Sequence, residues 1–272
     1  MKTIGLYVNS QRDGNYARAS RVAGFLRSKG IEARLCGDLI ALERFDALAA
    51  AAVKETDCLV ALGGDGTLLK AAKAAAVCGT PVLGLNLGRL GYLTDAPAQA
   101  FEAPLERLLS GLYMPEKRLM LEAAWEGGSD LALNDVFVGR SGPPKLLTLK
   151  VEINGEHMDT YQADGVLVAT PTGSTAYNLS AGGPVIKPDA EILAITPVCP
   201  HALHARGAVI SAADEVSVSV LSQAGGELFM DGEPAAKLPQ GERVIIKRSI
   251  YNTTIIKTTD STFYDILRQK MM

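Results

Sequence analysis

The stretch Cys58–Ala76 reads CLVALGGDGTLLKAAKAAA, and its order of residue types decides the fold class. Cys58 to Leu62 is a short apolar run without alternation, which suits a strand buried on both faces. From Thr67 onward the chain is rich in Ala, Leu and Lys, so a helix is predicted there. Gly63, Gly64, Asp65, Gly66 and Thr67 lie between the two. Glycines in a strand-to-helix turn permit positive φ and let a ligand approach bare backbone. The helix behind them aims unpaired N–H groups and the positive end of its dipole at whatever binds, which favours phosphate. Gly63, Gly64, Gly66 and Thr67 are therefore the expected phosphate loop.

Asp65 decides what kind of loop this is. The stretch lacks GxxxxGK[ST], and the GxGxxG pattern begun at Gly64 fails at Leu69. A carboxylate facing phosphates repels them unless it holds a metal ion or takes a proton from a nucleophile. The bland alternative is that Asp65 only caps the following helix. GGDGT resembles the loop of a kinase superfamily whose acceptors include dinucleotides and lipids, so it points to phosphoryl transfer without naming the acceptor.

Working outward, 272 residues hold one large domain or two ordinary ones. Hydrophobic content of 47% and charged content of 21% are those of an ordinary globular protein. A net charge of −3 with no basic stripe argues against a nucleic-acid partner. Met1 leads almost directly into the strand-like TIGLYV and no apolar run reaches membrane length, so neither a signal peptide nor a membrane partner is expected. Cys36, Cys58, Cys78 and Cys199 are scattered and form no CxxC, as expected of free thiols in a reducing, cytoplasmic setting.

Upstream, Thr3–Val8 and Glu32–Cys36 read as strands, with helices predicted over Tyr16–Lys29 and Ala41–Lys54. Another strand is predicted over Pro81–Asn86, so strands alternate with helices as in a parallel, Rossmann-like α/β sheet. Ligands of such sheets sit beyond the carboxyl ends of the strands, where GGDGT lies. Past Leu112 the pattern changes. Strands are expected over Leu119–Trp125, Leu131–Val138 and Leu146–Ile153, then over Val166–Thr170, Glu191–Thr196, Val216–Leu221, Glu227–Met230 and Arg243–Lys247. Asn154-Gly155 is a hairpin signal, and the spacing suits an antiparallel β-sandwich. Thr253–Lys257 reads as a late strand and Phe263–Lys270 as a terminal helix. The expected division is an α/β domain over 1–113, joined by the terminal segment 252–272, and a β-sandwich over 114–251.

Two more segments carry polar chemistry. Asn134-Asp135 stands inside the strand-like LALNDVFVG, where polar side chains are costly unless paired; an edge bulge or turn is the plain alternative. Asp164–Pro184, DGVLVATPTGSTAYNLSAGGP, runs from a strand into a hydroxyl-rich turn and a helix expected to begin near Ser174. Such a turn can present backbone and hydroxyl donors to a ribose or diphosphate, or be no more than a capped helix.

GGDGT, the Asn-acidic pair and DGxxxATPTGSTAYxLSAGGP occur in this order in NAD kinases, and the chain resembles that family over essentially its whole length. TPVCPHAL (Thr196–Leu203) and MDGE (Met230–Glu233) look like further family segments. The resemblance implies transfer of the terminal phosphoryl of ATP, with Mg²⁺ or a similar divalent metal, to the adenosine-ribose 2′-hydroxyl of NAD. It also implies a dimer or, by preference, a homotetramer, with Asp231 reaching toward a neighbour's dinucleotide site. By motif position, Asp65 matches the catalytic base, with Gly66 beside it and Tyr92 as an aromatic face. Asn134 and Asp135 match the pair holding the adenosine end and diphosphate, and Thr172, Thr175, Ala176, Tyr177, Asn178, Leu179 and Ser180 match the NAD-binding turn. Asp164 matches the residue near the nicotinamide.

The chain departs from the family at several points. Asp135 stands where Glu is usual, Gly88-Arg89-Leu90-Gly91-Tyr92 replaces a more common Asn or His before Leu and Phe after Gly, and Gln162 stands where bacterial members often carry Arg. Lys145 is the expected substitute for the missing charge. His201 and His204 form HxxH without a third ligand, so the residues themselves name no metal site. The rival functions are a lipid or sphingoid-base kinase sharing the GGDGT loop and a catalytically silent dinucleotide sensor. The hydroxyl-rich turn without an amphipathic membrane stretch weighs against the first, and the intact Asp65 weighs against the second.

Overall fold

The computed structural model describes residues 1–10, 12–14, 16–38, 52–88, 91–140 and 146–271. The helix expected over Ala41–Lys54 falls almost wholly outside them, as does Lys145. The chain divides into two compact units, one of Met1–Arg118 with Tyr251–Met272, the other of Leu119–Ile250.

The first unit is a parallel sheet with helices. Its strands are β1 (Thr3–Val8), β2 (Glu32–Asp38), β3 (Cys58–Gly63) and β4 (Val82–Asn86), with the short β5 (Ala96–Pro97) on β4. The order is β2-β1-β3-β4, all parallel, and Ile255 of the terminal segment pairs with Val82 beyond β4. Every residue of β3 and of β4 is buried, as the unbroken apolar run implies. Its helices are α1 (Ala17–Ser28), α2 (Asp65–Cys78) and α3 (Glu102–Leu109). Leu26, Leu62, Leu83, Leu85, Phe101 and Leu105 are among the residues that close the core. α2 ends on Gly79 at φ 70°, the left-handed cap glycine adopts without cost.

The second unit is antiparallel. Its strands are β6 (Met114–Trp125, which begins in the first unit), β7 (Gly128–Ala132), β8 (Asp135–Gly139), β9 (Leu147–Ile153), β10 (Glu156–Ala163) and β11 (Gly165–Ala169). After the short helix α4 (Tyr177–Ser180) come β12 (Ile192–Val198), β13 (Ala208–Ser211), β14 (Val216–Val220), β15 (Gly226–Met230), β16 (Glu233–Leu238) and β17 (Arg243–Lys257). One sheet has the order β13-β12-β11-β8-β15-β16. The other joins β10-β9-β14 to the first part of β17, and β6 pairs with β7. Alternate residues of both sheets, such as Val136, Val138, Leu149, Val151, Val166, Val168 and Val218, form one apolar core. Asn154 at φ 52° and Gly155 at φ 82° make the β9–β10 turn, as the Asn-Gly pair predicts.

Two strand expectations change. Leu131–Val138 is not one strand but the end of β7 and the start of β8, with Leu133-Asn134 between them. Arg243–Lys247 and Thr253–Lys257 are the two ends of a single 15-residue strand, β17, closing the chain before α5 (Phe263–Met271).

Candidate functional site

The glycine loop is built differently from the reading of its residues. None of Gly63, Gly64 and Gly66 has positive φ. Gly64 is the N-cap of α2 at φ −99°, ψ −169°, an extended conformation open to any residue. Glycine is needed at 63 because the Thr67 side chain folds back where a Cβ would stand. At Gly66 a Cβ would meet no atom of the described residues within 4 Å.

Asp65 is not a helix cap either: among the described residues no side chain caps the N-terminus of α2. Its carboxylate accepts instead from the turn after β4, Oδ2 from the Tyr92 N–H (2.9 Å) and Oδ1 from the Leu93 and Thr94 N–H groups (both 3.3 Å). Gly91 closes the turn, since a Cβ there would overlap the Asp65 carboxylate. Thr94 braces the turn through Oγ1, which accepts from the Asn86 amide and from the Gly91 N–H at 3.0 Å each. A carboxylate offers about four lone-pair positions, so roughly one remains for a ligand hydroxyl. Tyr92 is half-buried, with the Lys270 ammonium 5.8 Å from its ring centroid. Burial first, then the Asp65 charge, raises the Tyr92 phenol above its ordinary range.

In the second unit, the Asn134-Asp135 pair sits where the chain steps from β7 into β8. The polar pair is tolerated because Asp231, in the turn after β15, satisfies its backbone. The Asp231 carboxylate accepts the N–H groups of Leu133 (2.9 Å), Asn134 (2.7 Å) and Asp135 (3.2 Å), and the Asp231 N–H returns a bond to Asp135 O. Asp231 thus organises the backbone of its own chain at this step. Asp135 is 4% exposed. Burial, then the Asp231 charge, pushes its carboxyl up to about 7.

The 170–183 segment begins with a 3₁₀ turn, Gly173–Thr175, before α4. Thr170 ties it to the step, its N–H to Asn134 O (2.8 Å) and its Oγ1 to Leu133 O (2.6 Å). Ser174 Oγ donates to Pro171 O and accepts from the Ile186 N–H. Asn178 is fully buried; its amide donates to Pro184 O (3.0 Å) and its Oδ1 accepts from Thr196 Oγ1 (2.7 Å). Thr172 is buried, Thr175, Ala176 and Leu179 are half-buried, and Tyr177 and Ser180 are exposed.

Asn134, Asp135, Ala176 and Tyr177 share one cavity of about 400 Å³. Its remaining walls are Phe137, Phe229, Asp231 and Gly232. Phe137 stands edge-on to Tyr177, with centroids 5.3 Å apart, and 5.7 Å from Phe229. Its ring lies over Gly139 and Gly165, where any Cβ would collide with it. Both phenylalanines escape a reading by motif, because each looks like an ordinary strand residue; only the pairing of Phe137 with Phe229 across β8 and β15 sets the rings side by side.

Asp164 is half-buried, and its Oδ1 lies 3.0 Å from Arg140 Nε. Arg140, at the end of β8, therefore supplies a cation beside Asp164, while Gln162 is exposed two residues before it. Among the described residues, no group of three or more His, Cys, Asp or Glu side chains converges as a metal cage, and no helix is long and apolar enough to cross a membrane.

Comparison with known proteins bears on both units. Residues 4–113 match the family model of the ATP-NAD kinase N-terminal domain, and residues 133–258 that of the ATP-NAD kinase C-terminal domain. A curated NAD kinase of Caldanaerobacter subterraneus subsp. tengcongensis is 38% identical over 280 residues, covering 100% of this chain and 99% of that protein. That of Lachnospira eligens is 36% identical, covering both chains fully. Among solved structures, yeast NADH kinase complexed with NADH superposes with a TM-score of 0.83 over 98% of this chain and 86% of its own, at 24% identity. An NAD kinase from Archaeoglobus fulgidus in complex with ATP superposes with a TM-score of 0.80, covering 98% of each chain, also at 24% identity. At that identity the two structures speak for the fold.

Proposed function

The chain belongs to the ATP-NAD kinase family, and from that premise we propose that it transfers the γ-phosphoryl group of ATP to the adenosine-ribose 2′-hydroxyl of NAD, giving NADP and ADP. The observation that carries this reading is the match of both halves, in order, to the family's two domains, with relatives aligned over the whole chain.

Each site residue has a role on this reading. Asp65 accepts the proton of the 2′-hydroxyl as the oxygen attacks the γ-phosphorus and the β–γ bridging bond breaks. Three backbone N–H groups hold its carboxylate in one orientation, which supports such a task. Gly63, Gly64, Gly66 and Thr67, with the first N–H groups of α2, take the transferring phosphates. Tyr92 presents an aromatic face. Asn134, Asp135, Thr172, Thr175, Ala176, Tyr177, Leu179 and Ser180 hold the dinucleotide, and Asn178 shapes the turn from within. Asp164 is oriented by Arg140 toward the nicotinamide end. The divalent ion on this reading is carried on the phosphates of ATP as part of that substrate. A cytoplasmic location goes with four cysteines none of which is in a disulfide.

The lipid or sphingoid-base alternative gains nothing from relatives whose names specify NAD. The test is NADP formation by the purified chain from NAD and ATP with Mg²⁺, beside parallel reactions offering diacylglycerol or sphingosine. Phosphorylated lipid with no NADP would replace this reading by the alternative, and no turnover of any acceptor would leave the sensor.

A further inference from the structure

We propose that Arg12 is the cation that holds the phosphate chain of the phosphoryl donor over the glycine loop, an inference that rests on reading the chain as a kinase. The loop Gly63–Thr67 contains a carboxylate and no basic residue. Backbone N–H groups and a helix dipole favour one phosphate, but a nucleoside triphosphate beside Asp65 needs more positive charge than they provide. The structure brings that charge from another turn.

β1 and β3 are parallel neighbours with Val8 opposite Leu62, and the Asn9 N–H donates to Leu62 O at 3.0 Å. The turn after β1 therefore leaves the sheet beside the glycine loop. Two buried side chains build it. Asn9 accepts the Arg12 N–H at both its backbone O (3.1 Å) and its Oδ1 (3.2 Å), and its backbone O also accepts the Asp13 N–H (2.9 Å). Asp13, 1% exposed, accepts the Arg18 and Ala19 N–H groups at the start of α1, at 2.8 and 2.9 Å. Arg12 is thus pinned between two anchors while its side chain stays exposed to solvent. Its guanidinium lies against Gly64, where a Cβ would stand 3.4 Å from Nη1.

The extended backbone at Gly64 does not itself require glycine, and a Cβ there would come into van der Waals contact with the guanidinium. The planar fork of arginine grips two phosphate oxygens at once, which a lysine cannot do. Among the described residues no atom comes within 4 Å of a Cβ at Gly66, so the loop backbone is open to a phosphate there.

The experiment compares wild type, Arg12→Ala and Arg12→Lys for NADP formation, with ATP and NAD varied separately. Arg12→Ala should raise KM for ATP about 10- to 100-fold, the loss of one charge-assisted contact, and leave KM for NAD within about 2-fold. Arg12→Lys should recover part of the ATP affinity, and the Tm of both variants should match wild type. An equal rise in both KM values, or no rise in either, overturns the proposal. If wild type forms no NADP, the kinase reading fails on its own, and titration with trinitrophenyl-ATP still decides on Arg12. Weaker binding of that probe by Arg12→Ala, with adenosine binding unchanged, supports the role; equal binding of the probe ends it.

Discussion

The Asp65 carboxylate, proposed as the base, also holds the turn at residues 92–94. Asp65→Asn keeps size and shape but replaces one oxygen by an NH₂ group, which then faces a backbone N–H. We expect kcat to fall about 100- to 10,000-fold, the range for losing a general base. Unlike a swap at a helix cap, it should also lower stability, by about 1–3 kcal/mol for the unsatisfied donor. Steady-state kinetics and urea unfolding measure the two effects; near-normal kcat with lowered stability would leave Asp65 a purely structural anchor. Asp135 makes a prediction of its own. Its carboxyl titrates at about 7 in the folded chain against an ordinary 3.8, so between those values the folded state holds a proton that the unfolded state has released. Its contribution to stability is therefore greatest at acid pH and is lost as pH rises through the folded value. Relative to Asp135→Asn, wild type should lose roughly 2–4 kcal/mol between pH 4 and pH 7.5. Parallel pH–stability curves for the two proteins would show an ordinary carboxylate at 135.

The element that governs Asp65 is the turn between β4 and β5, and the end of β17 clamps it. Asp95 accepts the Thr258 N–H at 2.7 Å and Thr259 Oγ1 at 2.9 Å, while Lys257 Nζ donates to Leu93 O at 3.4 Å. Lys257 is 8% exposed, and burial holds its ammonium below the usual lysine range, although the nearby Asp95 opposes that shift. The same peptide unit that Lys257 grips by its carbonyl side belongs to the strip of N–H groups holding Asp65. Gly91→Ala tests the turn as a unit, because its Cβ would overlap the Asp65 carboxylate. Displacing a reacting group by about 1 Å costs on the order of 100-fold, so kcat should fall by about that factor while KM for NAD changes little. Wild-type kcat in Gly91→Ala would mean that the turn shifts without consequence.

For the whole molecule, the prediction concerns assembly. Among the described residues, the second unit's sheet β13-β12-β11-β8-β15-β16 has β13 and β16 as its edge strands, and sheet edges are ordinarily covered or paired. Val209 on the edge strand β13 is half exposed, and Leu203 in the loop before it is 95% exposed. We expect a homo-oligomer, a tetramer in preference to a dimer, with this edge shielded by another copy. Light scattering at working concentration checks this, and a monomeric mass would refute it.

Much of this protein is legible in its order of residues, and the reason is locality. The buried run 58–62 followed by glycines and an Ala-rich helix, the Asn154-Gly155 hairpin and the alternation in β9 are patterns in which neighbouring residues determine the outcome. The motif resemblance is equally local, being carried by contiguous letters. What only the tertiary structure decided are the bonds that join distant segments. Helix capping is the plain alternative for Asp65 in the sequence, and it falls away only when the partners of its carboxylate are found 27 to 29 residues later. The polar step at Asn134-Asp135 depends on a carboxylate more than ninety residues away, and Arg12 reaches Gly64 only because β1 and β3 are neighbours. Such contacts leave no periodicity in the chain, since a hydrogen bond or a steric limit acts on whatever the fold brings within a few ångströms, at any separation in sequence.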